Sequence, residues 1–568
     1  MRQRTEVNIY TYIRRFVLFG ILLLPNFYAV LRVTDLTFSP AKTVVYVPVV
    51  AVCLLLPALF LKSRTYFIAE GVLNVFCAPF EIASIFLNKA TTTPVFLNLV
   101  YATNIHEAAE LLMSLWYLAL LVVAVWVLYF VLAAREQQEW LLPRLARKIV
   151  LAAVPFLVVC GMAVFSILQL RMNNKVPVKQ VILDATDKSL MKFNKIFPYN
   201  FYIHTCTIIK KKRQIRNLCK ASENFSFGIT PVTDSIPHLV VLVIGETARS
   251  ANFSINGYGR DTNPRLSRQT NLVTYSRAYA QANLTSNSVP HILSRLDVSE
   301  KDKLYSEKSV TSAFKEAGFD FAWIGNQYEG IYTAVATRQV DFYYVSSKGL
   351  SAIDNFDINL LDEFSKALRT LDNPNKLVVM HTMGNHWQYN SRYPAEFDVF
   401  KPSLDRTFNL MKFTVEAKEK LVNSYDNCIR YTDYFLDSLI SSIQALHEPA
   451  LMLYVSDHGE NLYDDEQGMV LHGSYKGSEY EYHVPFIIWY SDEYERLYPA
   501  KTAALHSHAD KTFNSSVVFH TLLDAADVHE AVVPSKSLCS PDFEQTDTVS
   551  ALTGDGHLIK ITKDTIIR

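Results

Sequence analysis

His238-Leu-Val-Val-Leu-Val-Ile-Gly-Glu246 is an apolar run that ends on a carboxylate, and Ala450-Leu-Met-Leu-Tyr-Val-Ser456 is a second that leads into Asp457-His458-Gly459-Glu460. Unbroken apolar runs of this length, bounded by polar residues, read as strands buried on both faces, as in a parallel sheet. In open parallel sheets, functional groups collect at the carboxyl ends of the strands. Two strands are therefore expected to bring Glu246, Asp457 and His458 to one edge of one sheet. Carboxylates and an imidazole converging there suit zinc or manganese. That chemistry favours a metal-dependent enzyme over a passive module.

Around these runs the strand and helix patterns alternate. Candidate strands are 238–245, 272–280, 319–325, 377–382, 450–456 and 484–490, and helical patterns fall at 309–317, 358–371 and 420–446. Gly318 follows the first helix as a C-cap should. The alternation implies βαβ units: an α/β domain over 237–568 with a mostly parallel central sheet between helices.

The first third of the 568-residue chain differs sharply. Apolar runs at 15–33, 43–62, 67–87, 112–133 and 149–168 each approach the length of about 20 residues that crosses a bilayer as a helix. Glu70 and Glu81 make the third the weakest. Five runs in succession predict a five-helix transmembrane domain over 1–168, followed by an interfacial connector over 169–236. The first run lacks a small-residue cleavage site and more spans follow it, so it is not read as a signal peptide. Arg2, Arg4, Arg14 and Arg15 precede the first span, Lys62 and Arg64 lie between the second and third, and Arg135, Arg144, Arg147 and Lys148 lie between the fourth and fifth. The opposite side shows only Arg32, Lys42 and Lys89. This bias places the N-terminus in the cytoplasm and the large C-terminal domain across the membrane.

Lys and Arg together number 55, as do Asp and Glu, so no overall field points to nucleic acid. In the connector, Lys210-Lys-Lys-Arg-Gln-Ile-Arg216 stands near Phe197, Tyr199, Phe201 and Tyr202, a composition suited to an anionic lipid surface. Cys53, Cys77 and Cys160 lie in spans as packing residues, and Cys428 falls in a helical stretch as a buried thiol. Cys206 and Cys219 are near enough in sequence to close a small loop in an oxidising compartment.

A nucleophile candidate lies in Leu284-Thr285-Ser-Asn-Ser288-Val-Pro290. Pro290 suits the first turn of a helix, which would put Thr285 or Ser286 at its N-terminus. Unpaired N–H groups and the positive dipole end there favour a phosphoryl group and an ionised hydroxyl. A metal beside the hydroxyl would lower its pKa and make it a nucleophile.

Gly245-Glu246-Thr247-Ala-Arg249 and Gly257-Tyr258-Gly-Arg260-Asp-Thr262-Asn-Pro264 resemble the opening motif of bacterial phosphoethanolamine transferases. These are inner-membrane enzymes of the alkaline phosphatase/sulfatase superfamily. Further matches follow in order: Thr285-x-x-Ser288-Val-Pro290; His381-Thr-Met-Gly-Asn-His386 with Arg392-Tyr-Pro394; Asn423-Ser-Tyr425-Asp426-Asn427-x-x-x-Tyr431-x-Asp433; Ser456-Asp-His-Gly-Glu460; Leu471-His472-Gly473; and His483-Val-Pro485-x-x-x-Trp489. The resemblance implies an alkaline phosphatase-like ectodomain in the periplasm and Glu246, Asp457 and His458 as zinc ligands. Thr285 would be the nucleophile and fourth ligand, and His386 and His472 would bind the phosphoryl group or a second metal. Thr103 and Glu107, in Ala102-Thr103-Asn104-x-x-Glu107, resemble residues of the family that contact the lipid headgroup. His291, His483 and His520 are left structural.

The implied reaction moves phosphoethanolamine from phosphatidylethanolamine through Thr285 to an envelope glycolipid such as lipid A or the lipopolysaccharide core, by a monomer whose partners are membrane lipids and no nucleic acid. One departure bears on the acceptor: family members acting on lipid A carry a disulfide near the nucleophile, and Ala278-Tyr-Ala-Gln-Ala282 and Pro290-His291 hold no cysteine. Rival readings are a sulfatase, which would want an Arg where Ile292 stands, a glycerol-phosphate transferase, and a non-catalytic envelope receptor on the same fold.

Overall fold

The computed structural model describes residues 2–32, 50, 53–88, 91–93, 96–97, 100–101, 115–152, 196–232, 236–327, 336–346, 355–405, 414–464, 468–474, 477–562 and 565–567. Among them, residues up to Lys212 form one compact unit and those from Arg213 onward a second.

In the first unit, Ile9–Arg32 and Trp116–Ala134 are helices long and apolar enough to cross a membrane, and Ser63–Val75 with Ala78–Phe86 forms a pair bent by 41°. These coincide with the expected spans at 15–33, 112–133 and 67–87. Of the span expected at 43–62, residues 50 and 53–62 are described, with a short 3-10 helix at Leu56–Leu59, whereas all but 149–152 of the span expected at 149–168 lies outside the described residues. The bend follows a π-turn, Gly71–Val75, and a Cβ at Gly71 would come within 2.6 Å of the Tyr129 ring, so glycine permits the close crossing. The two acidic residues that weakened this run are buried and bonded. Glu70 accepts from Asn74, and Glu81 accepts from the Thr92 N–H at 3.1 Å and the Asn200 amide at 2.9 Å. Asn26 donates to the Phe197 carbonyl and accepts from its N–H, which fixes the chain ahead of helix Tyr199–Ala221. Apolar surroundings demand such pairing of every polar group.

The basic stretch Lys210–Arg216 belongs to that helix, which corrects the small loop considered for Cys206 and Cys219. At a rise of about 1.5 Å per residue the two lie roughly 20 Å apart, far beyond the reach of a disulfide. Cys206 is a free, exposed thiol.

The second unit is organised by a seven-stranded sheet. Its strands are β1 (Leu239–Gly245), β2 (Leu272–Tyr275), β3 (Asp320–Gly325), β4 (Phe342–Val345), β5 (Lys376–His381), β6 (Ala450–Ser456) and β7 (Phe486–Tyr490). Their spatial order is β2-β7-β6-β1-β5-β3-β4. β1 pairs in parallel with both β5 and β6, and β3 pairs in parallel with β5 and β4. β7 runs antiparallel to both of its neighbours. The sheet expected to be mostly parallel is parallel in four of its six pairings and mixed through one reversed strand inserted between β2 and β6. The single strand expected at 272–280 is interrupted: β2 ends at Tyr275, and Ala278–Tyr279 pairs instead with Phe513–Asn514.

The uniform apolarity of β1 follows from its central place. Val240, Leu242 and Ile244 face a core shared with helices Val310–Glu316 and Val517–Ala525. Leu239, Val241 and Val243 face a second core shared with helices Leu360–Thr370 and Lys418–Gln444. A strand covered on both faces has no position at which a polar residue is tolerated. Gly318, at φ +86°, ends the helix ahead of β3 as the sequence indicates. Cys428 is buried in helix Lys418–Gln444, as expected.

Candidate active site

Register brings the first two candidate residues together. Gly245 stands opposite Ser456 in the parallel pair β1–β6, so the chain leaves both strands side by side, at Glu246 and Asp457. The Asp457 N–H donates to the Gly245 carbonyl at 3.0 Å, continuing the ladder past the strand ends. Glu246, Asp457 and His458 are all fully buried, and one donor atom from each lies within 4.8 Å of the others.

Each side chain is fixed by its neighbours. One Asp457 oxygen, Oδ1, accepts from the N–H groups of Thr247 at 3.0 Å and His458 at 2.7 Å. Its other oxygen, Oδ2, is buried with no hydrogen-bond partner. His458 Nδ1 is 2.9 Å from the Gly459 carbonyl; this assigns its proton and leaves the Nε2 lone pair facing the carboxylates. An orphaned carboxylate oxygen, an imidazole lone pair and a second carboxylate at one buried point fit a divalent cation. They fit nothing neutral as well.

Thr285 completes the set. It opens helix Thr285–Ile292, with Leu284 as N-cap. Ser288, one turn on, donates to the Asp457 carbonyl and ties the helix to the ligand loop. The Thr285 Oγ1 lies 3.2 Å from Glu246 Oε2 and 3.2 Å from His458 Nε2. Pro290 sits well inside the helix rather than in its first turn. Thr285 stands at the helix N-terminus as expected, and Pro290, having no N–H, makes no bond to the Ser286 carbonyl one turn back.

The two remaining histidines flank this centre. The His472 ring lies 4.2 Å from that of His458, and its Nδ1 is 3.1 Å from the Glu460 carboxylate. His386 follows β5, and its Nδ1 is buried without a partner. Burial lowers His386 to about 4, and burial together with His458 lowers His472 to about 3. Both rings are therefore neutral at pH 7, able to ligate metal or exchange a proton. Burial, and then the charge of Glu246, push the Asp457 carboxyl up.

Several participants carried no sequence signal of their own. Gln327 donates to Glu246 Oε2 at 2.8 Å and to the Thr382 carbonyl at 2.7 Å. Asp357 accepts from the N–H groups of Met383 and Gly384 at 2.8 and 2.9 Å, which holds the loop bearing His386. Glu460 lay in the quoted motif but showed its part only in the bond to His472. His291, His483 and His520 are bonded to the backbone, as a structural role requires. Thr103 and Glu107 lie outside the described residues.

The sulfatase family profile matches residues 238–528, just over half of the chain. The chain belongs to the sulfatase family. Within it, the chain is similar to phosphoethanolamine transferase EptA of Helicobacter pylori (strain ATCC 700392 / 26695), at 34% identity over 291 residues, 50% of this chain and 52% of that protein. It is also similar to phosphoethanolamine transferase EptC of Escherichia coli (strain K12), at 27% identity over 325 residues, 55% of this chain and 54% of that protein. The chain thus spans about half the length of the curated relatives it matches. The structure of the integral membrane lipooligosaccharide phosphoethanolamine transferase A (EptA) from Neisseria meningitidis covers 93% of this chain and 97% of its own, with a TM-score of 0.69 at 23% identity. That likeness shows a shared fold for this member of the sulfatase family. The C-terminal periplasmic domain of EcEptC from Escherichia coli, solved in complex with Zn, covers 60% of this chain and 94% of its own, with a TM-score of 0.51 at 25% identity.

Proposed function

We propose that the chain is a zinc-dependent phosphoethanolamine transferase that uses Thr285 as its nucleophile. The observation that carries this reading is the Thr285 hydroxyl, 3.2 Å from both Glu246 and His458, at the one described group of side chains able to share an ion. The named activity of the relatives and the zinc complex of the EcEptC domain support it. Glu246, Asp457, His458 and Thr285 would hold the ion, which would lower the pKa of the Thr285 hydroxyl and draw charge from a phosphoryl oxygen.

The donor in this reading is phosphatidylethanolamine. Thr285 Oγ1 passes its proton to a neutral imidazole, His386 or His472, and forms a bond to phosphorus as the bond to the glycerol oxygen breaks. The departing alkoxide takes a proton, and diacylglycerol leaves. His386 and His472, held neutral by burial, offer an N–H to the equatorial oxygens or to the leaving group. Phosphoethanolamine remains on Thr285 until a hydroxyl or phosphate of an envelope glycolipid displaces it, restoring the threonine. The glycolipid fits the relative named Kdo(2)-lipid A phosphoethanolamine 7''-transferase, from Escherichia coli (strain K12), which is 29% identical over 268 residues. In this reading residues 1–168 lie in the bacterial inner membrane, with the N-terminus cytoplasmic. Residues 169–236 connect at the membrane surface, and 237–568 act in the periplasm as a monomer. Thr103 and Glu107 belong to the donor headgroup site, and a second ion held by His386 and His472 is the alternative to their contact with the phosphoryl group.

Sulfate-ester hydrolysis is disfavoured although the chain belongs to the sulfatase family, because Ile292 stands where a sulfatase needs an arginine beside its nucleophile. Incubation with headgroup-labelled phosphatidylethanolamine, followed by peptide mass spectrometry, tests the reading. Label on Thr285 is expected. Label on Ser286 or Ser288, or no label from zinc-loaded protein, would overturn it.

A further inference from the structure

Arg249 is buried three residues beyond Glu246, in the loop that leaves β1. No step of the proposed reaction uses it. Its guanidinium reaches across to the loop that follows β6. Nη1 donates to the Glu460 carbonyl at 3.2 Å and to the Asp464 carboxylate at 2.6 Å. The group lies over the Tyr480 ring, 4.8 Å from its centre, with the Tyr425 ring at 5.7 Å. The Tyr425 hydroxyl accepts from the Arg249 N–H at 2.9 Å and donates to the Thr247 carbonyl at 2.6 Å. The two loops are pressed together here: a Cβ at Gly459 would come within 3.1 Å of the Arg249 Cβ.

We propose that Arg249 is a positioning residue for the metal centre: its guanidinium locks the loop carrying Asp457, His458 and Glu460 against the loop carrying Glu246, and so sets the separation of the ligands. The inference rests on the metal-site reading of the proposed function. Glu246 and Asp457–His458 follow different strands, and past the strand ends the ladder continues by a single backbone bond, joined by the Thr247 N–H bond to Asp457 Oδ1. The Asp457 and Ala248 N–H bonds, to Gly245 and Ser456, fix only the first residues. Farther out, the Arg249 contacts to Glu460 and Asp464 hold the turn closed. Glu460 is also the carboxylate that meets His472, so one guanidinium steadies both the ligand triad and the phosphoryl-side imidazole. A planar, fixed-charge donor that stacks on aromatic faces suits this place, and a lysine point charge does not.

The test measures zinc affinity of the full-length protein in detergent, by competition with a chromophoric chelator, and the visible spectrum of the cobalt(II)-substituted form. The variants are Arg249→Met, Arg249→Lys and Asp464→Asn, each with the melting temperature of its metal-free form. Loss of a group that orients ligands from behind costs about 10–100-fold in metal affinity. Arg249→Met is expected to weaken zinc by that amount and to shift the cobalt bands, with Arg249→Lys recovering part of the loss. Asp464→Asn, which leaves the guanidinium in place, is expected to weaken zinc several-fold with little change in metal-free melting. Wild-type affinity and wild-type cobalt bands in Arg249→Met would overturn the inference, however far its melting temperature falls. If Arg249→Met does not fold, unchanged affinity in Asp464→Asn decides against it. Failure of the wild-type protein to bind zinc would instead sink the metal-site reading itself.

Discussion

At the scale of single residues, the site depends on small groups at fixed separations. Thr285→Ala removes the proposed nucleophile while leaving Glu246, Asp457 and His458 in place. Transfer, followed as labelled phosphoethanolamine gained by the acceptor fraction, should fall at least about a thousandfold. Zinc should still bind, because three protein ligands remain; loss of all zinc would mean that Thr285 holds the site together rather than reacts in it. Gly384 is a second test. It has φ +46°, and a Cβ there would meet the Glu246 carbonyl oxygen at 2.8 Å. The Asn385 N–H donates to that same carbonyl at 2.9 Å. Gly384→Ala should therefore destabilise the domain by about 1–3 kcal/mol in chemical denaturation and weaken zinc as Glu246 is displaced. The convergence of Glu246, Asp457 and His458 was legible in the sequence because they follow directly on two long apolar runs. Gln327 and Asp357 were not, because a buried amide or carboxylate gains its role only from the backbone it meets, and no spacing announces that meeting. Thr285 was legible as the start of its helix, where the structure places it, although Pro290 lies one turn deeper than the first turn it was assigned to.

At the scale of elements, strands with two covered faces were the easiest to read, and β1, β5 and β6 lie within a residue of their expected bounds. The reversed direction of β7 was not readable, since its apolar run looks the same from either end. The four-residue edge strand β4 was missed, because Phe342–Val345 has too few residues to show a period. Helix Lys418–Gln444 was expected; its apolar face packs into the second core, and Asp433 on the same helix ties it to the loop at Arg265–Leu266. That carboxylate accepts from the N–H groups of Arg265 and Leu266 at 3.0 and 2.9 Å. Burial raises its pKa to about 7, more than these bonds lower it. The sign follows from proton binding. Between about pH 4 and 7 the folded state keeps a proton that the unfolded state, with an ordinary carboxylate, has released. Stability from this group is therefore greatest below that window, falls as pH rises through it and is level above. Asp433→Asn should flatten the difference in unfolding free energy between pH 4 and pH 8 by up to ~4 kcal/mol. An unchanged difference would show that Asp433 is ionised throughout the range in the folded protein.

At the scale of the molecule, the chain joins an apolar helical unit to a unit built on a mixed sheet, a division already visible as a shift in composition. The second unit is large enough to keep a polar site fully buried, and that burial carries a consequence for the metal-free state. Two carboxylates and the imidazole of His458 share one point without solvent, and Asp457 Oδ2, 3.3 Å from His458 Nε2, accepts no hydrogen bond. Without a cation they repel or take up protons, and with one the orphaned oxygen is satisfied. Metal that binds the folded form alone must then stabilise it by mass action, about 2.7 kcal/mol at a free concentration one hundred times the dissociation constant. Chelation with a strong zinc ligand should lower the melting temperature of the full-length protein by several degrees, and added zinc should restore it. Asp457→Ala should melt at one temperature with or without chelator, because the ion is no longer held. Heating scans followed by tryptophan emission read this directly, since Trp323 and Trp489 are buried in the cores on either side of the sheet. If wild-type protein melts identically in chelator and in zinc, the buried carboxylates are already balanced by protons and the centre does not need a metal to be stable.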